Sequence, residues 1–159
     1  MGRERVFARR GAENAEEEED LRDIDVISGD VLDVALRLHR DLGPGLLESV
    51  YEAVLAARLG QLGHVVARQQ AVDIDFEGVR IQGAFKMDLL VDGRLIVEIK
   101  SVERLLPVHA KQLLTYLRLT GQPVGLLINF GGETLKEGVR RLVNNHRPSA
   151  SSAPLREQR

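Results

Sequence analysis

Residues 88–100 read Asp88-Leu-Leu-Val-Asp-Gly-Arg-Leu-Ile-Val-Glu98-Ile-Lys100. Two apolar, strand-like runs flank an Asp-Gly turn, and ionisable residues interrupt both. Burying an unpaired charge is strongly unfavourable. Charges at such positions therefore pair with one another, bind a metal or do chemistry. Two carboxylates, Asp88 and Glu98, can share one cation. Lys100, two residues beyond Glu98 and so on the same strand face, can act on a water or an anion held there. The plain alternative is a solvated hairpin edge with a Lys–Glu ion pair of small energetic consequence.

Two strands must bring these groups together, and their alternation predicts how. Phe85, Met87, Leu89 and Val91 are expected on one face of the first strand, and Leu95, Val97 and Ile99 on one face of the second. The opposite faces then carry Lys86, Asp88 and Leu90, and Ile96, Glu98 and Lys100. The apolar faces coincide only if the connecting loop holds an odd number of residues, because a one-residue slip turns every side chain over. A two-residue Asp92-Gly93 turn would separate the carboxylates. The expectation is a three-residue loop with Gly93 in or beside the left-handed position.

The surrounding elements follow from period and punctuation. Val31, Val34, Ala35 and Leu38 predict a helix near 27–41, capped by Ser28 and broken by Gly43-Pro44-Gly45. Leu47, Val50, Tyr51, Val54, Leu55 and Leu59 predict a second helix near 46–62. Strands are expected near 64–76, 79–91 and 94–101, with turns at Glu77-Gly78 and Asp92-Gly93. Pro107 opens a helix near 107–120. Val124–Phe130 reads as a strand and Thr134–Val143 as a last amphipathic helix. Residues 1–24 contain Glu16-Glu-Glu-Glu-Asp20 and read as a disordered acidic tail, 146–159 as a flexible one, and 25–145 as the folded domain. The order is ααβββαβα. It implies an α/β fold with a mixed central sheet flanked by helices.

Four pieces of this chain together resemble the PD-(D/E)XK nuclease superfamily. Asp88…Glu98-Ile-Lys100 is similar to its active-site signature. Gly45-Leu-Leu-Glu48-Ser-Val-Tyr51 matches the motif of the GxxExxY protein family, which looks like a branch of that superfamily. His109-Ala-Lys-Gln112-Leu-Leu-Thr-Tyr116 resembles the Q-x-x-x-Y helix of RecB-like nucleases, and Leu126-Leu-Ile-Asn129-Phe130-Gly131 the closing strand.

The resemblance implies a restriction-endonuclease-like core and a metal-dependent phosphodiesterase acting on nucleic acid. Asp88 and Glu98, with the backbone carbonyl of Ile99 and waters, would hold Mg2+ or Mn2+, hard cations that take oxygen ligands. Glu48 would add a ligand, directly or through water. Lys100 would orient or deprotonate the attacking water, or stabilise charge in the transition state. Gln112, Tyr116 and His109 would border the cleft and touch substrate; otherwise Tyr116 is core and the other two are surface groups. His64 and His146 receive no role. The second reading is a catalytically inactive binding or assembly module with the same fold.

Composition constrains both readings. The 159 residues include no cysteine, so there is no disulfide or thiolate metal site, and the net charge is −2. Residues 25–145 carry 14 Lys and Arg against 15 Asp and Glu. That is not the basic footprint of a tight nucleic-acid binder. Low affinity for nucleic acid is expected of the isolated domain, with a protein partner or homo-oligomer supplying the basic surface. No apolar run approaches the roughly 18 residues that span a bilayer, and no secretory signal is evident. A cytoplasmic location without membrane contact is the expectation.

Overall fold

The apolar stripe Val31, Val34, Ala35 and Leu38 is buried along one face of a long first helix. A computed structural model describes residues 3–144. Its elements are α1 (Arg3–Leu42), α2 (Glu48–Gln61), β1 (Val66–Phe76), β2 (Val79–Val91), β3 (Leu95–Lys100), α3 (Pro107–Thr120), β4 (Val124–Asn129) and β5 (Val139–Val143), with a 3-10 turn at Lys136–Gly138. The strands form one sheet in the order β1-β2-β3-β4-β5. β3 and β4 are parallel and joined through α3; the other pairs are antiparallel. This is the expected restriction-endonuclease-like α/β architecture, a mixed sheet flanked by helices.

Each sheet face has its own core. Leu89, Val91, Leu95, Val97, Ile99, Leu126 and Ile128 pack with Val31 and Leu38 of α1 and with Tyr51, Leu55 and Leu59 of α2. Ile96, Leu127 and Met87 pack with Leu113 and Leu117 of α3 on the other face. Each fully buried Leu or Ile contributes roughly 2 kcal/mol from apolar area. β3 and β4 are buried along nearly their whole length, as a central parallel pair covered on both sides must be.

Three expectations are corrected. α1 begins at Arg3 instead of near residue 27, so residues 3–24, expected as a disordered tail, run into the helix. The Ala, Glu, Arg and Leu of that stretch are strong helix formers. Ile24, assigned to the tail, is fully buried in the core. The expected last helix is a 3-10 turn followed by β5, antiparallel to β4. Val139 packs on the α1–α2 side and Leu142 on the α3 side. Residues three apart on opposite faces fit the period of a strand, not of a helix. β5 also covers what would otherwise be the edge of β4. Gly138 makes this entry possible, since a Cβ there would lie 2.5 Å from the Asn129 carbonyl oxygen. The third correction concerns β2. Leu89 and Val91 face α1 and α2, but Met87 lies in the α3-side cluster and Phe85 packs against it. The alternation inverts across Asp88. The expected flexible tail at 146–159 lies outside the described residues.

Candidate active site

Val91 pairs with Leu95, which leaves Asp92, Gly93 and Arg94 as a three-residue loop. Asp92 and Gly93 both have positive φ, +52° and +66°. The odd parity demanded by the apolar faces is what the chain adopts. Counting back from this turn, Asp88 falls opposite Glu98, one step beyond the last ladder pair, Leu89 with Val97. There β2 and β3 part, and side chains replace the ladder. The Ile99 N–H donates to Asp88 Oδ2 at 2.8 Å, and the Asp88 N–H donates to Glu98 Oε1 at 3.2 Å. The two carboxylates therefore meet in the opening between the strands.

Glu98 is only 6% exposed. Burial and the neighbouring Asp88 push its pKa up to about 8, with Lys100 pulling weakly the other way. Two like charges in a desolvated cleft cannot both ionise cheaply, so one keeps a proton. A divalent cation would replace that proton, and the donor set, two adjacent carboxylates, fits a hard ion. Lys100 follows Glu98 on the same face, half-buried at the end of β3.

The G-x-x-E-x-x-Y stretch has a structural explanation. Gly43 and Gly45 take φ of +72° and +98°, open to glycine. The buried Tyr51 hydroxyl donates to the Gly43 carbonyl at 2.6 Å and accepts the Leu46 N–H at 3.2 Å. Its ring stacks on Phe130, with centroids 4.5 Å apart. Ser101 Oγ donates to the Leu46 carbonyl at 2.6 Å, tying this loop to the end of β3. Together these bonds place the first turn of α2 over the opening. Glu48, at that first turn, lines a cleft of about 480 Å³ with Glu52, Gln69, Asp88 and Ser101. Glu48 is exposed. No group of three or more His, Cys, Asp or Glu residues close enough to hold a metal occurs among the described residues. The expected three-carboxylate ligand set of Glu48, Asp88 and Glu98 is thus not assembled directly.

The α3 residues divide. Tyr116 stacks on Phe85 with centroids 4.0 Å apart. Its pKa is raised by burial and by the charges of Glu98 and Asp88, so it borders the carboxylates. Gln112, one turn earlier, is exposed. His109 caps its own helix: its Nδ1 accepts the Leu106 N–H at 3.1 Å. Behind the site, Asn129 accepts the Val102 and Gly131 N–H groups and donates to the Val102 carbonyl, fixing the chain that follows β3. Gly131 is required there, because a Cβ would lie 2.2 Å from the Val102 carbonyl oxygen.

Two residues given no role from the sequence enter the cleft. Glu52 is 5% exposed, and its oxygens accept from Arg68 Nε at 3.2 Å and Gln69 Nε2 at 2.8 Å. Gln69 Nε2 also donates to Asp88 Oδ1 at 3.2 Å. The only advance signal was the spacing of Glu52, one helical turn beyond Glu48.

The family model of the PD-(D/E)XK nuclease superfamily matches residues 25–142. The chain belongs to this superfamily. Searches of curated proteins and of solved structures return no match. Asp88, Glu98 and Lys100 all lie within the matched residues, at the point where the two strands separate. No helix among the described residues is long and apolar enough to cross a membrane.

Proposed function

We propose that this protein is a Mg2+- or Mn2+-dependent nuclease of the GxxExxY branch, hydrolysing phosphodiester bonds in nucleic acid. The observation that carries this reading is the meeting of Asp88 with the buried Glu98 between diverging strands, with Lys100 beside them. Asp88 and Glu98 would hold the cation, with the Ile99 carbonyl and waters completing its shell; Glu48 acts through water. A bound cation of this kind polarises the phosphate and lowers the pKa of a water ligand. Lys100 orients the attacking water or stabilises charge on the phosphoryl oxygens. Tyr116 and Gln112 border the substrate strand, while His109 supports α3.

The near balance of charge over residues 25–145 favours weak nucleic-acid affinity, strongly dependent on salt. It also motivates the second reading, a non-catalytic module of the same fold that binds or assembles with a partner. The test is cleavage at low salt with Mn2+ or Mg2+, on single-stranded, double-stranded and branched DNA and on RNA. Glu98→Ala should abolish cutting. Metal-loaded protein that cuts none of these substrates would replace the enzyme reading with the binding-module reading.

A further inference from the structure

Three non-glycine residues among those described have positive φ. Glu77 and Asp92 sit in hairpin turns, each followed by glycine. Gln69 is different. It lies inside β1, between the paired residues Arg68 and Gln70, with φ of +50°. A side chain in that backbone region is strained, and such strain persists only where the surroundings hold it.

The surroundings are the cleft. The Gln69 amide nitrogen stands between two carboxylates, donating to Glu52 Oε2 at 2.8 Å and to Asp88 Oδ1 at 3.2 Å. The other oxygen of Glu52 takes the Arg68 guanidinium, and the other oxygen of Asp88 takes the Ile99 N–H. Every oxygen of both carboxylates therefore has a named partner. The order Arg68, Glu52, Gln69, Asp88 links α2 to the strand opening through side chains that contribute nothing to either apolar core. A glycine at 69 would turn the strand with less strain. A glutamine is useful there only for its amide.

We propose that Gln69 is a positioning residue that sets the Asp88 carboxylate for a divalent cation, with Glu52 as the anchor that sets Gln69. This rests on the metal-dependent reading above. The amide nitrogen can only donate, so it holds Asp88 as an acceptor while leaving a second lone pair on Oδ1 for the ion. Partners of this kind typically change metal affinity 10- to 100-fold.

The test is Mn2+ binding to the full chain by titration calorimetry, with the metal-free melting temperature measured alongside. Gln69→Gly should melt at or above the parent temperature, because the backbone strain is relieved. It should bind Mn2+ about 10- to 100-fold more weakly. Gln69→Asn tolerates the same backbone but is one methylene too short to span both carboxylates, and should behave likewise if the glycine variant fails to fold. Glu52→Gln should weaken Mn2+ binding in the same direction. Cleavage by Gln69→Gly should recover at saturating Mn2+. Parental Mn2+ affinity in folded Gln69→Gly or Gln69→Asn would overturn the proposal alone, leaving the metal site standing. An activity loss that Mn2+ does not restore, with affinity unchanged, would place Gln69 on the substrate and overturn it too. A parent chain that binds no Mn2+ would sink the metal-dependent reading and this proposal together.

Discussion

The hairpin of β2 and β3 carries carboxylates at both ends, and the two ends treat them in opposite ways. At the turn, Asp92 Oδ1 accepts the Val65 N–H at 2.8 Å, and Oδ2 lies 2.6 Å from His64 Nδ1. Asp30 of α1 lies 2.8 Å from the other ring nitrogen of His64. Only an imidazolium satisfies both carboxylates. The Asp92 hydrogen bond does most to raise the pKa of His64, against the cost of burial, and Asp30 adds to it. Burial acts to raise the pKa of Asp92, but His64 and the Val65 N–H outweigh it and lower it. That end is neutralised from within and pins α1 to the hairpin. At the open end Lys100 offsets little of the effect of burial and of the neighbouring Asp88, and Glu98 keeps a proton. Carboxylates thus form a structural lock at one end and a pair that retains a proton at the other. A buried carboxylate pair with a pKa shifted this far is a candidate functional site on physical grounds.

The contrast breaks most sharply in kinetics. Lys100→Ala should slow cleavage by about 10²- to 10⁴-fold, the usual range for a lost proton-transfer group, with Mn2+ affinity retained. His64→Gln should leave the cleavage rate at the parent value. Single-turnover assays at saturating Mn2+ would separate the two, and equal losses would erase the distinction between the ends.

Metal linkage is the next largest effect. At a hundredfold excess over Kd, Mn2+ should stabilise the parent chain by about 2.7 kcal/mol. Asp88→Asn should remove that shift, and Asp92→Asn should keep it. Without metal the order reverses: Asp92→Asn, which loses its His64 ion pair, should lower the melting temperature by about 3 °C, while Asp88→Asn should lower it less. Thermal melts with and without Mn2+ decide both points.

pH sharpens the comparison. Glu98 holds a proton that the unfolded chain releases between the ordinary value of 4.5 and about 8. Stability should therefore fall as pH rises across that window, and Glu98→Gln should flatten the slope. The ion must displace that proton, so Mn2+ affinity should rise as pH approaches about 8. A pH-independent affinity would contradict the shared proton.

The smallest effect belongs to the lock. The folded pKa of His64 lies above 6.5. Its stabilisation is complete below 6.5 and is lost as pH rises through the higher folded value. His64→Gln should lower the melting temperature by about 3 °C at pH 6 and by less at pH 9. Equal shifts at both pH values would show that His64 acts by packing alone.

Much of this arrangement was legible in the chain because it is local. Parity of the apolar runs required an odd loop at Asp92–Arg94, and the paired register obeys it. Pro107 and Gly121 bracket α3 at its observed ends, with Gly121 left-handed at the C-cap. Gly45, Glu48 and Tyr51 are spaced so that a turn, a first-turn carboxylate and a buried ring follow in order. Such features depend on backbone period, turn geometry and residues a few positions apart.

The tertiary structure alone decided the rest. Strict alternation put Met87 and Leu89 on one face, yet the strands part at Asp88 and the two residues enter different cores. Val139–Val143 carries apolar residues that suit a helix read in isolation; the open edge of β4 makes it a strand. Glu52 and Gln69 are 17 positions apart, and Gln69 and Asp88 are 19 apart. No local period encodes their convergence. It follows from how α2 seats on the sheet and where β1 bends, both settled by burial of the shared core and not by the residues that meet.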